Sequence, residues 1–142
     1  MKPEKSKLQF FIKLARVAAQ ITRRFDTHSG MFGWSGFQVL YHLNSAPEHR
    51  MRRIDLADKL ALTASGVTRM LLPMEKLGLV EREACEGDAR VSFVKLTPAG
   101  RRQLAECTED VELLAGELLI TDKDGRDPME FFSIFAPEKL TA

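Results

Sequence analysis

The sequence has few of the residues from which catalytic and metal sites are usually built. It contains two cysteines and three histidines in 142 residues. Cys85 and Cys107 form no C-x-x-C pair, which argues against a zinc site and against a structural disulfide. HExxH, Walker and GxSxG motifs are absent. We therefore expect no catalytic residue, no metal and no cofactor, in a protein that is not an enzyme.

Long apolar runs are also missing. No stretch approaches the roughly 20 residues that a membrane helix needs, and the lysine-rich N-terminus lacks the apolar segment of a secretory signal. We therefore expect a cytoplasmic protein without membrane contact. The 44% apolar and 29% charged residues are those of a globular chain, and the length suits one domain over residues 1–142.

The net charge of +1 hides an uneven distribution along the chain. Residues 1–49 contain seven Lys/Arg and three Asp/Glu, and residues 50–102 contain eleven and seven. Residues 103–142 contain three and ten. The first hundred residues are therefore suited to meet phosphate, although a charge block is also typical of a plain solvated surface.

Both ends of the chain are more apolar than one small core requires. From Lys7 to about Asp26, apolar residues follow helical spacing in two adjoining rows. The second row faces either the same domain or another subunit. Near the C-terminus, Met129 to Phe135 is predicted to be a short and very apolar helix, which needs a partner surface.

The middle of the chain predicts three helices in close succession. After a loop from His28 to Gly33, a helix starts at Ser35, which has capping-box spacing to Gln38, and ends before Pro47. Two short helices joined by about three residues then match a helix-turn-helix, whose second member enters the major groove of DNA. The second of these helices is predicted to be N-capped by Thr63 and to end at Gly78. The predicted inward-facing residues of the pair are Ile54, Leu56, Ala57 and Leu60, then Val67, Met70, Leu71 and Met74.

A β-hairpin is predicted next, because the apolar period changes from helical to alternating after Gly78. Its parts are a strand at 79–83, a turn at 86–88 and a returning strand at 91–96. Thr97 as N-cap and Pro98 in the first turn then open a helix that runs to about Leu119, before a polar break at 121–128.

Five short segments, in order, carry a family resemblance. They are LADKL at 56–60, TASGVTR at 63–69, MEKLGLVER at 74–82, GDAR at 87–90 and LTPAG at 96–100. Together they resemble the MarR family of bacterial regulators. The resemblance implies a mostly α fold with a small β-hairpin wing (α+β), in which residues 34–97 form a winged helix-turn-helix. Residues 7–26 and 98–142 are then dimerisation helices.

A homodimer of this kind implies a pseudo-palindromic operator in double-stranded DNA, with half-sites about 10 base pairs apart. Repression is the family default. The residues expected to contact DNA from the second helix are Thr63, Ala64, Ser65, Thr68 and Arg69. Ser65 and Thr68 lie on its outer face, where they can bond base edges or phosphates. Arg69 binds either a guanine edge or a phosphate.

The predicted wing contributes Asp88 and Arg90. Arg90 is placed to reach the minor groove, where a narrow A·T-rich channel concentrates negative potential. The resemblance implies that Asp88 holds the Arg90 side chain in place. The alternative is an exposed ion pair that contributes about 1 kcal/mol or less to stability.

The sequence departs from the family pattern at Leu72 and Pro73, where relatives usually carry a polar pair. Pro73 has no N–H to give the carbonyl of Arg69, so we expect the helix to bend there. Leu72 either packs inward or touches a thymine methyl group.

MarR-like proteins often respond to small aromatic ligands, and the sequence offers candidates for such a site. They are Phe25, His28, Phe32, Trp34 and Tyr41, although aromatic residues at a helix junction are also typical of plain core. Cys85 and Cys107 are candidate oxidant sensors or inert buried thiols. The function predicted is a sequence-specific DNA-binding regulator, a repressor relieved by a small ligand or an oxidant. The alternative is a winged-helix dimerisation or protein-interaction module without DNA readout.

Overall fold

A computed structural model describes residues 3–28, 32–119 and 125–135 of the chain. Two compact units are present, one within residues 1–111 and one within residues 112–142. The predicted single domain over residues 1–142 stays a prediction. The elements are α1 (Pro3–His28), α2 (Gly33–Ser45), a 3-10 helix (Pro47–His49), β1 (Arg50–Arg52), α3 (Arg53–Leu60), α4 (Ala64–Lys76), β2 (Val80–Cys85), β3 (Asp88–Leu96), α5 (Pro98–Leu118) and a second 3-10 helix (Pro128–Ile134).

The fold class predicted from the sequence is confirmed, since the described elements are mostly helices with one small antiparallel sheet. The core lies between α2, α3, α4 and the sheet. Its fully buried side chains are Val39, Leu40, Leu43, Leu56, Val67, Leu71, Met74, Val80 and Val94. Among the described residues, none of the helices combines the length and apolarity needed to cross a lipid bilayer.

The sheet has three strands in the order β1–β3–β2, all antiparallel. β1 was missed because it has only three residues, in which two arginines conceal the alternating pattern. It pairs Met51 with Val94 at the end of the hairpin nearest the core. The predicted hairpin is confirmed, but its loop is tighter than expected. Glu86 and Gly87 alone turn the chain, at a glycine φ of 92°, and Asp88 already pairs with Cys85.

The N-terminus of α2 differs from the prediction, and the Ser35–Gln38 capping box is wrong. The helix begins at Gly33, whose φ of 65° brings the chain back towards α1. Asp26 near the end of α1 accepts a hydrogen bond from the Trp34 backbone N–H at 2.8 Å. A side chain from another helix therefore satisfies the free N–H, which local spacing could not reveal. Half of the predicted loop at 28–33 (residues 29–31) and half of the predicted break at 121–128 (residues 121–124) lie outside the described residues.

Ile54 is the second correction, because 66% of it is exposed. The buried residues of α3 are Leu56 and Ala57. Since each helical residue turns the chain by about 100°, Ile54 lies roughly 200° away from Leu56 and leaves the core face. It lines the cleft beside the hairpin instead.

The helix boundaries predicted at Thr63, Gly78 and Thr97 are confirmed. Thr63 accepts a hydrogen bond from the Gly66 N–H at 3.1 Å, and Gly78 has a φ of 73°. Thr97 accepts from the Gly100 N–H at 3.0 Å and donates to the Gly78 carbonyl at 2.6 Å. Thr97 thus starts α5 and fastens it to the base of the hairpin.

Gly100 and Gly116 provide a test of this junction within one helix. A Cβ at Gly100 would lie 2.2 Å from the Leu79 carbonyl oxygen, whereas a Cβ at Gly116 meets nothing within 4 Å. We expect Gly100→Ala to lower the free energy of unfolding by about 2 kcal/mol or more. Gly116→Ala should raise it by about 0.5 to 1 kcal/mol, since glycine is a poor helix former. Urea denaturation measures both, and a Gly100→Ala protein as stable as the parent would contradict the packing described.

Candidate nucleic-acid interface

The first turn of α4 presents small polar residues to solvent. Thr63, Ala64 and Ser65 are all exposed, and the hydroxyl oxygens of Thr63 and Ser65 lie 3.3 Å apart. Val67, Leu71 and Met74 bury the opposite face of the helix. Burial of one face therefore directs the other to solvent, and its backbone N–H groups and hydroxyls suit phosphates or base edges.

Thr68 is less available than the sequence suggested. It is half-buried, and its hydroxyl donates to the Ala64 carbonyl at 3.0 Å. The same oxygen accepts a hydrogen bond from Arg53 Nη1 at 2.7 Å. Most of its bonding capacity is therefore used inside the protein.

Arg69 is exposed, and it makes no hydrogen bond or ion pair with any residue that the structure describes. Leu72 is 44% exposed, so it is not the fully packed side chain that one interpretation expected. The helix continues beyond Pro73 to Lys76. Arg69 is thus the cation that α4 offers to a partner.

The tip of the hairpin carries the predicted contact between Asp88 and Arg90. Asp88 Oδ1 accepts hydrogen bonds from the Arg90 backbone N–H at 3.0 Å and from Arg90 Nε at 3.4 Å. The Arg90 side chain is 93% exposed. Asp88 therefore restrains Arg90 at its backbone N–H and at Nε, whereas the two terminal nitrogens of the guanidinium remain in solvent.

A cleft of about 280 Å³ separates the hairpin from the start of α4. It brings together Arg90, Ala64 and two residues that the sequence analysis missed, Arg52 and Arg53. The missed signal was the basic run Arg50-Met51-Arg52-Arg53, which crosses from β1 into α3. Two of its positive charges, Arg52 and Arg53, lie next to the predicted contact residues Ala64 and Arg90.

Arg52 and Asp55 form a two-bond ion pair at the edge of this cleft. Arg52 Nε and Nη2 donate to the Asp55 carboxylate at 2.8 and 3.1 Å. The hydrogen bond and the charge of Asp55 raise the pKa of Arg52, and the same hydrogen bond lowers the pKa of Asp55. Because both side chains are well exposed, the pair orients Arg52 more than it stabilises the fold.

Arg53 has the opposite environment, since only 15% of its side chain is exposed. Burial lowers its pKa, the charge of Arg82 lowers it further, and Glu75 opposes both effects. Glu75 Oε1 lies 3.8 Å from Arg53 Nη2 and 3.9 Å from Arg82 Nη2. Arg53 therefore links α3 to α4, and Glu75 extends the link to β2.

Solved structures from two organisms share this architecture. The structure of the regulator BldR from Sulfolobus solfataricus superposes with a TM-score of 0.81 over 94% of both chains, at 26% identity. Sco3205 of Streptomyces coelicolor, a MarR family transcriptional regulator in complex with DNA, superposes with a TM-score of 0.74 at 25% identity. That alignment covers 94% of this chain and 82% of the other.

The segment that contains α2, the helix-turn-helix and most of the hairpin, residues 34–92, matches the MarR family. These 59 residues are therefore a MarR family domain. An uncharacterized HTH-type transcriptional regulator of Bacillus subtilis, YdgJ, is 30% identical over 81 residues. These are 57% of this chain and 46% of YdgJ, so the match spans about half the length of this curated relative. Within this domain α4 is the second helix of the helix-turn-helix, the position called the recognition helix, and the β2–β3 hairpin is the wing.

The five predicted ligand-site residues do not meet in one place. The rings of Phe25 and Trp34 stack at 4.2 Å between centroids, and Phe25 is buried. Phe32 and Trp34 pack against the core. His28 ends α1, and its side chain lies outside the described part of the chain. The contacts of Phe25, Phe32 and Trp34 are those of core packing.

Tyr41 lies elsewhere, on an open groove of about 1010 Å³ between α2, β1 and α3. Phe93 and Arg50 line the same groove, with Arg50 over the Phe93 ring at 4.8 Å. The two candidate oxidant sensors differ in access, since Cys85 on β2 is half-buried and Cys107 on α5 is buried. No three His, Cys, Asp or Glu side chains are grouped as a metal site requires within residues 3–28, 32–119 and 125–135.

His42 in this groove makes stability depend on pH. Burial, and then the charge of Lys59, lowers its pKa below the usual 6.5. As pH falls through about 6.5, the unfolded chain binds a proton at His42 while the folded chain does not, so stability declines. We expect His42→Gln to show a smaller loss of unfolding free energy between about pH 7.5 and 5.5, measured by urea denaturation. An unchanged pH dependence would refute this role.

Proposed function

We propose that this protein is a sequence-specific double-stranded DNA-binding transcription regulator of the MarR family. The observation that carries the proposal is the cleft between the recognition helix and the wing, where the exposed Arg52 and Arg90 lie beside the start of α4. Exposed cations beside the second helix of a helix-turn-helix suit a duplex whose phosphates border each groove. As the family default, we propose repression, by a regulator in the cytoplasm.

Within this proposal, Ser65 and Arg69 contact base edges in the major groove. Thr63 and Ala64 are small enough to let the backbone of α4 approach the DNA. Arg90 enters the minor groove, and Asp88 holds it through the backbone N–H at 3.0 Å and Nε at 3.4 Å. Thr68 acts less directly, because its hydroxyl already bonds Ala64 and Arg53.

We also propose a homodimer, which is supported by apolar side chains left in solvent in both units. On α1 these are Leu8, Phe11, Ile12 and Val17, and in the C-terminal 3-10 helix they are Met129, Phe131, Phe132 and Ile134. Apolar surface on this scale usually meets a protein partner. A two-fold dimer would present two recognition helices to a pseudo-palindromic operator.

A winged helix used only for protein contact is the second candidate, and the exposed arginines speak against it. In such a module Arg69 and Arg90 would have no binding role, although they lie on the two elements that approach DNA in a winged helix. For a small aromatic effector, the supporting residue among the five candidates is Tyr41. It is 54% exposed at a groove wide enough for such a ligand.

Binding to random-sequence duplex DNA tests the proposal at low cost. We expect binding at about 50 mM salt and a loss of about a hundredfold or more in affinity by about 200 mM, measured by fluorescence anisotropy. Repeated selection from the same pool should then yield a pseudo-palindromic sequence. A protein that binds no duplex at low salt would overturn the proposal and favour a contact module.

The wing can be tested with a matched pair of variants. Arg90→Ala should weaken binding to the selected duplex and reduce the slope of log affinity against log salt by about 0.9 for each phosphate that the protein no longer neutralises. Asp88→Asn leaves the cation but loosens it, so affinity should fall by about threefold without a smaller slope. If Arg90→Ala binds as tightly as the parent, the wing does not contact DNA.

A further inference from the structure

We infer that Arg53 is a positioning residue that braces the recognition helix across Pro73. The inference rests on the proposed DNA binding and assigns a role to a side chain that faces inward. Its Nη1 donates to Thr68 Oγ1 at 2.7 Å, and its Nη2 lies 3.8 Å from Glu75 Oε1. One buried guanidinium thus lies beside two residues of α4, Thr68 before Pro73 and Glu75 after it.

The geometry of α4 explains how one side chain reaches both points. Thr68 and Glu75 are seven residues apart, which is about two helical turns, so they share a face of the helix. Pro73 lies between them and removes the N–H that would bond the Arg69 carbonyl. The helix is therefore weakest between its exposed first half and its last turn, and Arg53 contacts both sides of that point.

The contact places charged atoms of Arg53 and Glu75 in the interior of the protein. Arg53 Nε, Arg53 Nη2 and Glu75 Oε1 are buried and have no hydrogen-bond partner within the described chain. Buried charges of this kind persist where a neighbouring opposite charge compensates them. Here Glu75 lies between Arg53 of α3 and Arg82 of β2, so the last turn of α4 is tied to the preceding helix and to the wing.

The consequence concerns the readout surface. Because Arg53 holds Thr68 inward, the polar side chains that the first half of α4 leaves exposed are those of Ser65 and Arg69. A rigid helix pays less conformational entropy when it docks, and its side chains keep the geometry that distinguishes bases. Arg53 thus supports specificity without touching DNA, whereas its neighbour Arg52 lies in the open and pairs with Asp55.

A double-mutant cycle between Arg53 and Pro73 tests the inference. Arg53→Gln should weaken binding to the selected duplex by about five- to tenfold and binding to a scrambled duplex by less than about twofold. Its salt slope should not change, since the number of phosphates that the protein neutralises stays the same. Pro73→Ala restores the missing N–H. In that background Arg53→Gln should therefore lower the affinity for the selected duplex by less than about twofold. Arg102→Gln, which removes an exposed arginine on α5, is the control for the change in net charge.

Two outcomes would overturn the inference. An equal decrease in affinity in both backgrounds would mean that Arg53 acts independently of Pro73, and a slope smaller by about 0.9 would mean a direct phosphate contact. If Arg53→Gln does not fold, Thr68→Val removes the hydroxyl that accepts from Arg53, together with its bond to the Ala64 carbonyl, and the same cycle with Pro73→Ala applies.

Amide hydrogen exchange on the free protein separates this inference from the proposed function. Arg53→Gln should speed exchange at residues 74–77 by about tenfold relative to α2, and Pro73→Ala should reverse that change. This result is expected even if the parent protein binds no DNA, an outcome that would sink the proposed function alone. Equal exchange rates in the parent and Arg53→Gln proteins would overturn the brace.

Discussion

The burial of Val67, Leu71 and Met74 is the constraint on which the rest of this structure depends. These side chains follow one another along a single stripe of α4 and are fully shielded from solvent by the core. Burial of three such side chains contributes on the order of 5 to 8 kcal/mol, which fixes the rotation of the helix about its axis. Ser65 and Arg69 are exposed because the stripe opposite them is buried. The surface proposed to read DNA is therefore set by hydrophobic packing before any polar contact is made.

Much of this arrangement could be predicted because its signals are local. The cap of Thr63, the left-handed turn at Gly78 and the change of period that starts the wing each depend on residues within a few positions. The Asp88–Arg90 contact belongs to the same class, since two residues of one strand are near each other in any hairpin. Local chemistry and the final fold agree at these points, as is expected of a sequence that folds to one structure.

The features that escaped prediction depend on contacts between distant parts of the chain. Asp26 caps α2 from another helix, and β1 exists only because β3 supplies its hydrogen bonds. Arg53 belongs to the same group. Its sequence neighbour Arg52 is chemically identical and lies exposed, so neither composition nor spacing distinguishes the brace from the surface charge. The burial that separates them is created by α4 and β2 packing over one of the two positions.

The same reasoning explains why carboxylates lie so close to a surface proposed to meet DNA. Asp55 and Asp88 each bond a neighbouring arginine, and Glu75 lies between two others. An arginine without a partner samples many rotamers, and ordering it on binding costs free energy. A carboxylate that hydrogen-bonds the guanidinium at Nε removes part of that cost before binding and leaves the remaining nitrogens for phosphate. Asp55 and Asp88 thus increase what Arg52 and Arg90 contribute to DNA binding, whereas Glu75 compensates the buried charge of Arg53.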